Sequence, residues 1–512
     1  MKISKRWKII LLAVIAVGIF FRFFNIGTKV YWHDEVINST RTAGYDLAEI
    51  YNDLPKDTLF SVELLDKYQG LSPEKSAIDT INVLAKFEPQ NPPLYYLISR
   101  VWIRFTDDSI VAKRSLSAII SLLSIPVVYL LGNELLGSSL FGLLAAAILA
   151  ISPFHVLYAQ EARPFSLWTL TTLLSGLYLL RALRTQKLAD WLGYTVTTIA
   201  GLYTFPFTLF VVAGHGLYVI ATKVVRNLTN VIRFVAVAAV SFISFLPWLW
   251  TIYKNIDRMS SWRYEDTSIT SLVKTWIGNI CRLFFDINLD SSSPIFYVLI
   301  PALLILSLVF YAIYCLLRQA PQKAAAFIIF LILVITSALI VPDLISGGRR
   351  SSVSRYFIPA YLGIQLAVAY PITHGIVAKN NVTRWLWSIV LVTLLGAGTV
   401  SNLVSANAGI WWTKPLSLDN FKIVQTINAS PDALLITDGP SWQVLELSHY
   451  LSPETRLFIS VETDLSQIEI GDRSPFLLYP SSQLLDNYRA SPLYEVKRLD
   501  DLKNQRIFQL AQ

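Results

Sequence analysis

Residues 140–164 read LFGLLAAAILAISPFHVLYAQEARP, an apolar run that ends in a Ser-Pro turn, a second apolar stretch, and then a glutamate and an arginine. A run of this kind is long enough to cross a bilayer, which takes about 20 mainly apolar residues. Ionisable side chains this close to membrane depth are costly in lipid and are functional candidates for that reason. The stretch therefore predicts a membrane span with a polar site at its end.

The composition extends this interpretation to the whole chain. Of 512 residues, 54% are hydrophobic and 15% are charged, whereas soluble proteins have about 25% charged residues. A mean hydropathy of +0.50 over this length requires several apolar segments rather than one anchor. A soluble enzyme, a disordered scaffold and a disulfide-stapled secreted domain are excluded. We predict about eleven transmembrane helices, near residues 9–21, 112–132, 140–158, 165–182, 190–204, 206–222, 233–252, 294–316, 325–342, 356–377 and 385–404.

Basic residues give the expected orientation of these helices. Lysines and arginines collect in alternate short connections, for example Arg181, Arg184 and Lys187, and such connections are cytoplasmic. The N-terminus is therefore expected in the cytoplasm and the C-terminal hundred residues outside the cell membrane. The net charge of +8 then reports membrane topology, so membrane lipids are expected partners and nucleic acid is not.

Composition also predicts two domains. Residues 1–404 form the transmembrane domain, with a large outer loop at 28–111, and residues 405–512 form a small extracytoplasmic α/β domain. The second domain is predicted because strand-like runs alternate with helical stretches. The predicted helix is Leu418–Ile427, and the predicted strands are Ala433–Thr437, Arg456–Val461, Pro475–Tyr479 and Arg506–Leu510.

The outer loop begins with an acidic motif, Val30-Tyr31-Trp32-His33-Asp34-Glu35. Adjacent carboxylates at a membrane boundary suit general-base chemistry on a lipid-embedded substrate. The alternative is that the two acids only solvate a helix end. His33, beside Asp34, is the one histidine with a plausible role at this site.

A second motif, Asn91-Pro92-Pro93-Leu94-Tyr95-Tyr96, follows in the same loop. Two prolines fix a rigid entry into an interfacial helix, and tyrosines favour headgroup depth. A plain turn with an aromatic belt is the alternative.

The third motif is the end of the opening stretch, where Glu161 and Arg163 lie between two predicted spans. These two side chains either pair with each other or hold substrate phosphate and hydroxyl groups.

The fourth motif is GGRRSSVSRYFIP at 347–359, which places Arg349, Arg350 and Arg355 in a short outer loop. Three arginines there run against the positive-inside trend. Guanidinium groups bind phosphate bidentately, and backbone N–H groups and hydroxyls add donors. A mobile charged loop is the alternative.

Taken together, the four motifs resemble the GT-C superfamily of membrane glycosyltransferases. The resemblance is closest to glycosyltransferase family 39, which includes bacterial protein mannosyltransferases, aminoarabinose transferases and RgtA/B/C/D-like enzymes. It covers roughly residues 1–380 and leaves out the C-terminal domain. It rests on Arg22-Phe-Phe-Asn-Ile-Gly with Tyr31-Trp-His-Asp34-Glu35, on 91–96, on 152–163, and on Arg355-Tyr356-Phe357-Ile358-Pro359.

The resemblance implies transfer of a single sugar from a polyprenyl-phosphate carrier to a lipid, glycan or protein acceptor on the outer face. It makes Asp34 and Glu35 the catalytic acids, with inversion at the anomeric centre. It makes the outer arginines the group that neutralises the departing phosphate. The implied donor-site and substrate-binding residues are Arg163, Arg355, Glu161, Asn91, Tyr356, Arg349, Arg350 and His33.

The chain departs from the family pattern at Asn91, and its histidines and acids bear on metal binding. Relatives often have His or Lys directly before the two prolines, where this chain has Asn91, an amide without charge. The five histidines show no metal-ligand spacing, so no cofactor or metal is predicted. Other GT-C families use a divalent cation, and Asp34, Glu35 and Glu161 supply oxygen atoms of the type it prefers.

Two other functions stay open. A polyprenyl-linked glycan ligase or polymerase would share the outer arginines without requiring the acidic pair. A non-enzymatic lipid-carrier transporter would need charged groups along a path through the bilayer, whereas here they cluster on one side.

Overall fold

The computed structural model describes residues 4–222, 228–256, 267–289, 294–439, 442–461, 473–499 and 507–511. The chain divides into two compact units, which are described separately. The helical unit comprises Met1–Ile26, Leu84–Tyr95 and Arg114–Ala408. The sheet unit comprises Gly27–Val83, Tyr96–Lys113 and Gly409–Gln512. The predicted division at residue 404 follows composition and stays a prediction.

Among its described residues, the first fifth of the chain contains five α-helices, one short strand and a 3-10 helix at Val62–Tyr68. The α-helices and the strand are α1 (Lys5–Phe23), α2 (His33–Ala43), α3 (Leu47–Asp53), β1 (Leu59–Ser61), α4 (Ala77–Phe87) and α5 (Leu94–Phe105). Helix α2 follows the extended residue Trp32 and ends at Gly44, whose φ of 94° favours glycine. Its first turn carries Asp34 and Glu35, where the helix dipole stabilises negative charge.

The described residues in the middle of the chain form helices and the connections between them. It contains α6 (Ile110–Leu136), α7 (Ser139–Ile151), α8 (Pro153–Ala159), α9 (Phe165–Thr185), α10 (Leu188–Thr204), α11 (Thr208–Ala221), α12 (Leu228–Lys254), α13 (Ile269–Cys281), α14 (Ile295–Gln319), α15 (Gln322–Ser346), α16 (Ile358–Gly375) and α17 (Asn381–Ala406). Each of the eleven predicted spans lies mainly on one of these helices or on α1, so the polytopic helical fold is confirmed.

By length and apolarity, six helices of the described chain are able to cross a membrane. A seventh span results if α7 and α8, which are bent by 60° at their junction, count as one. Helix α11 is apolar but shorter. The number eleven therefore stays a prediction.

The bend between α7 and α8 has a local cause. Pro153 is the first residue of α8 and has no N–H to donate to the preceding turn. Ser152, between the two helices, instead donates its hydroxyl to the carbonyl of Leu283 at 2.7 Å. The predicted span at 140–158 is therefore a broken helix rather than a straight one.

Two glycines allow other helices to pack closely against the end of α7. A methyl group on Gly18 of α1 would overlap the carbonyl oxygen of Ala150 in α7. A methyl group on Gly398 of α17 would lie 2.8 Å from the carbonyl oxygen of Ile151. Helices α1 and α17 thus approach the end of α7 closely because they carry no side chain there.

The sheet unit contains a six-stranded sheet with helices α18–α20. After α17 the chain forms α18 (Asn420–Asn428), β2 (Ala433–Thr437), α19 (Trp442–Ser448), β3 (Arg456–Ile459), β4 (Ser474–Leu478), α20 (Ser482–Ala490), β5 (Glu495–Arg498) and β6 (Ile507–Ala511). The strand order is β1-β3-β2-β4-β6-β5. The central strand β2 is parallel to β3 and β4, and its five residues are all buried, as in parallel sheets covered on both faces.

The predicted α/β domain is confirmed, with a contribution from the first loop. The four predicted strands correspond to β2, β3, β4 and β6, although Arg506 lies outside the described residues. Strand β1, from residues 59–61, adds an antiparallel edge by pairing Phe60 with Leu457. The other edge, β5, carries exposed charged residues, which discourage edge-to-edge association.

The close packing at Gly18 gives a test of the α1–α7 contact. We expect Gly18→Ala to lower the free energy of unfolding by about 1–3 kcal/mol, because overpacking forces backbone apart. The matched control is Gly396→Ala in α17, where an added methyl group meets no atom within 4 Å. The control should be neutral or slightly stabilising. Thermal unfolding of the purified variants in detergent is the measurement, and equal melting temperatures would contradict the contact.

Candidate functional site

The acidic site, defined as His33, Asp34 and Glu35, lies at the start of α2 in the sheet unit. Trp32 is extended, and α2 begins at the next residue. Because a helix has 3.6 residues per turn, three successive side chains point in different directions around its axis. Glu35 is fully buried, whereas His33 and Asp34 are half-buried. The two adjacent acids therefore have different surroundings.

Glu35 pairs with a lysine from the C-terminal part of the chain. The Lys414 ammonium lies 3.1 Å from Oε2 of Glu35, and the two side chains are 1% and 0% exposed. The same ammonium lies 5.1 Å from the centre of the Trp32 ring, a cation–π distance. Since a buried charge is strongly destabilising without a partner, each member of this pair requires the other.

His33 contacts a second buried acid. Its Nδ1 lies 3.1 Å from Oε1 of Glu446, which is 0% exposed. The other oxygen of Glu446 accepts hydrogen bonds from Ser417 at 2.6 Å and from Asn420 at 2.8 Å. Burial raises the pKa of Tyr479, and the negative charge of Glu446 acts in the same direction. Glu446 thus ties α19 to the start of α2.

The arginine site lies in the helical unit and is defined as Glu161, Arg163, Phe165 and Arg355. The guanidinium carbons of Arg163 and Arg355 lie 5.3 Å and 5.6 Å from the centre of the Phe165 ring. Glu161 is 1% exposed and Arg163 is 9% exposed. The structure therefore brings the third and fourth sequence motifs together, with two arginines beside one aromatic ring.

Hydrogen bonds connect these motifs further. Tyr158 of α8 and Ser354 share a hydrogen bond of 3.1 Å. Tyr95, from the Pro-Pro motif, and Ser117 share one of 2.8 Å, and Ser117 donates to the carbonyl of Arg163 at 3.1 Å. The backbone on both sides of the arginine site is thus fixed by residues from α5, α6 and α8.

Helix α1 holds the broken span in place. The buried Arg22 donates to the carbonyls of Gly18 at 2.7 Å and Ala150 at 2.6 Å, and to the hydroxyl of Ser121 at 2.9 Å. In return, Gln160 donates to the carbonyls of Phe21 and Phe24 at the end of α1. Terminal helix carbonyls have no partner within their own helix, so each helix end receives its donors from the other.

Another arginine, Arg282, was not predicted from the sequence and lies near Tyr158 beside the arginine site. Arg282 follows α13 and interacts electrostatically with Tyr158, Tyr361 and Asp286. Burial lowers the pKa of Arg282, although an arginine stays protonated at neutral pH. Its sequence surroundings, a single basic residue after a short helix, give no signal of this position.

The remaining arginines of the fourth motif lie on a turn after α15. Gly347 and Gly348 have φ values of 74° and 115°, which favour glycine. Arg350 lies 3.4 Å from Asp343, and that buried acid also accepts from the backbone N–H of Ser351 at 2.6 Å. An aspartate in an apolar span, seven residues before Arg350, is the signal that would have predicted this pair.

Two other predicted residues have local contacts. The amide of Asn91 donates to Glu88 at 2.8 Å in the turn before the two prolines. The ring of Tyr356 lies among Phe205 and Phe207, at centroid distances of 5.6 Å and 5.1 Å.

Asp34, Glu35 and Glu161 carry carboxylate oxygens of the type that a divalent cation prefers. Within the described residues, no group of three or more His, Cys, Asp or Glu side chains is arranged to hold a metal ion. Glu35 has instead a lysine partner at 3.1 Å, which is unfavourable for a cation ligand.

One family model matches the part of the chain that contains the second and third motifs. Residues 90–250 match the family model of dolichyl-phosphate-mannose-protein mannosyltransferases. The fold is similar to that of ArnT from Cupriavidus metallidurans bound to undecaprenyl phosphate, with a TM-score of 0.54 and 12% identity over 99% of this chain and 98% of that chain. The chain therefore has the same overall fold as this ArnT.

Two further structures are similar. The apo form of the same ArnT has a TM-score of 0.53 and 13% identity over 98% of this chain and 97% of that chain. The apo oligosaccharyltransferase of Archaeoglobus fulgidus has a TM-score of 0.48 and 12% identity over 90% of this chain and 65% of that chain. No curated protein sequence matches this chain.

The reciprocal contacts of α1 and the broken span are testable through Arg22. We expect Arg22→Met to lower the free energy of unfolding by about 1–3 kcal/mol or more, because buried carbonyls lose their donors. The control is Arg6→Met in the exposed first turn of the same helix, which should change stability by no more than about 0.5 kcal/mol. Thermal unfolding of the purified variants distinguishes the two, and equal effects would contradict the role of Arg22.

Proposed function

We propose that this protein is an integral-membrane glycosyltransferase of the cell membrane that moves a single sugar from a polyprenyl-phosphate carrier to an envelope acceptor. The acceptor is a lipid, glycan or protein on the extracytoplasmic face. The observation that carries this proposal is the arginine site, where Arg163 and Arg355 share the Phe165 ring at the end of a broken membrane span. The phosphate of a polyprenyl phosphate lies at the membrane boundary, where such a span ends.

The arginine site supplies what the leaving phosphate needs. Guanidinium groups bind phosphate oxygens through paired N–H donors. Negative charge grows on the phosphate as the sugar leaves, so cations fixed beforehand stabilise the transition state more than the ground state. The similarity in fold to an ArnT bound to undecaprenyl phosphate supports a carrier of this class.

The acidic site supplies the proton acceptor. In the proposed reaction an acceptor hydroxyl attacks the anomeric carbon on the face opposite the phosphate, and Asp34 takes the hydroxyl proton. The new bond joins the acceptor oxygen to the anomeric carbon, while the bond from that carbon to the phosphate oxygen breaks. The products are the glycosylated acceptor and polyprenyl phosphate, with the anomeric centre inverted. Glu35, the adjacent acid, assists without contacting the substrate.

The proposal predicts a defined change in cells that make Asp34→Asn. We expect the variant to accumulate one sugar-charged polyprenyl phosphate and to lack one envelope glycan, because the acceptor hydroxyl is no longer deprotonated. Mass spectrometry of the carrier lipids and glycoconjugates identifies both substrates at once. Identical profiles with correctly inserted protein would contradict the role of Asp34 and favour a transporter.

The arginine site has its own prediction. We expect Arg163→Gln and Arg355→Gln each to lower the rate of sugar transfer on the order of 10²–10³-fold, since the phosphate loses a fixed positive charge. Arg384→Gln, at the exposed start of α17, is the control and should transfer sugar at the wild-type rate. The measurement is the rate at which isolated membranes consume the carrier found with Asp34→Asn. Wild-type rates in both variants would exclude phosphate binding at this site.

A further inference from the structure

We infer that Lys414 and Glu446 are positioning residues for Asp34, acting through Glu35 and His33 on either side of it. This inference rests on the proposed function, because it takes Asp34 as the base. It gives the C-terminal segment a part in the acidic site that neither the four motifs nor the comparisons assign.

The first step concerns the difference between the two adjacent acids. A general base must reach the proton that it abstracts at about 2.6–3.2 Å. Glu35 is 0% exposed and its charge is balanced by Lys414 at 3.1 Å, so a substrate hydroxyl has no surface of Glu35 to approach. Asp34 is half-buried in the same turn. Asp34 therefore acts on substrate, and Glu35 holds the helix.

The second step is that Lys414 contacts both neighbours of the His33-Asp34 pair. Its ammonium binds the Glu35 carboxylate on one side and lies over the Trp32 ring on the other. Trp32 is the residue before α2, and Glu35 is in its first turn. One buried cation thus fixes the backbone immediately before and after the candidate base.

The third step is a separate contact on His33. Its backbone N–H donates to Ser417 at 3.3 Å, and its ring contacts Glu446 at 3.1 Å. Ser417 and Asn420 in turn donate to the second oxygen of Glu446. A rotation of the first turn of α2 would break these contacts and the Glu35–Lys414 pair together, so the direction of Asp34 is set by four side chains from the C-terminal segment.

The experiment compares Lys414→Met, Glu35→Gln and the double variant with Lys497→Met. Lys497 forms an ion pair of 2.8 Å with Glu495 in the same unit, but the two side chains are 57% and 69% exposed. The readout is carrier consumption per molecule of folded protein, with folded protein counted by size-exclusion chromatography of the detergent-solubilised membranes. A purely structural pair would change the amount of folded protein and leave this ratio unchanged.

We expect Lys414→Met to lower the ratio on the order of 10²-fold, since a displacement of about 1 Å in a reacting group has an effect of that size. The double variant should recover part of this loss, because it leaves no unpaired buried charge. Lys497→Met should match the wild type. A wild-type ratio in Lys414→Met, with or without a lower yield, overturns the inference.

A second readout does not depend on the proposed reaction. Purified full-length protein is treated with a water-soluble carbodiimide and glycine amide, and labelling of Asp34 is followed by mass spectrometry. We expect the labelling rate of Asp34 to change several-fold in Lys414→Met and Glu446→Gln and to stay constant in Lys497→Met. Constant labelling in all variants overturns the inference. Unchanged carriers in Asp34→Asn would overturn the proposed function instead, and the labelling would still test the positioning.

Discussion

The buried guanidinium of Arg22 is the contact on which the helical unit depends. A broken membrane span leaves backbone carbonyls at the end of α7, and lipid offers them no hydrogen-bond donors. Arg22 supplies these donors from α1, and Gln160 supplies donors to α1 in return. With the break stabilised in this way, Arg163, which follows α8, lies beside the same Phe165 ring as Arg355.

The sheet unit buries two carboxylates, those of Glu35 and Glu446, and must compensate their charge. Glu35 and Glu446 are both fully buried, and each has a cation or several donors within hydrogen-bond distance. Because removal of one partner leaves an uncompensated charge, such pairs specify one arrangement of the chain more than they add stability. The acidic motif and the C-terminal helices consequently form one structural element.

Much of this architecture could be predicted from the sequence, and the limits have physical causes. Apolar runs of bilayer length predict the spans, and alternating strand-like and helical runs predict the C-terminal sheet. Strand β1 has three residues, which is too short for a periodic pattern. The partner of Glu35 lies 379 residues away, and a single lysine carries no signal of that distance. The motifs predicted the candidate site residues, whereas only the structure shows the contacts of Lys414, Asp343 and Arg282.

The distance between Glu35 and Lys414 has a consequence for biosynthesis. At about 5–20 residues per second, the ribosome needs roughly 20–80 s to make the intervening chain. During this interval Glu35 of α2 has no Lys414 to pair with, and strand β1 has no β3 to pair with. The segment that contains α2 and β1 therefore completes its contacts only after Lys414 and β3 have been synthesised, so folding of the sheet unit depends on late synthesis.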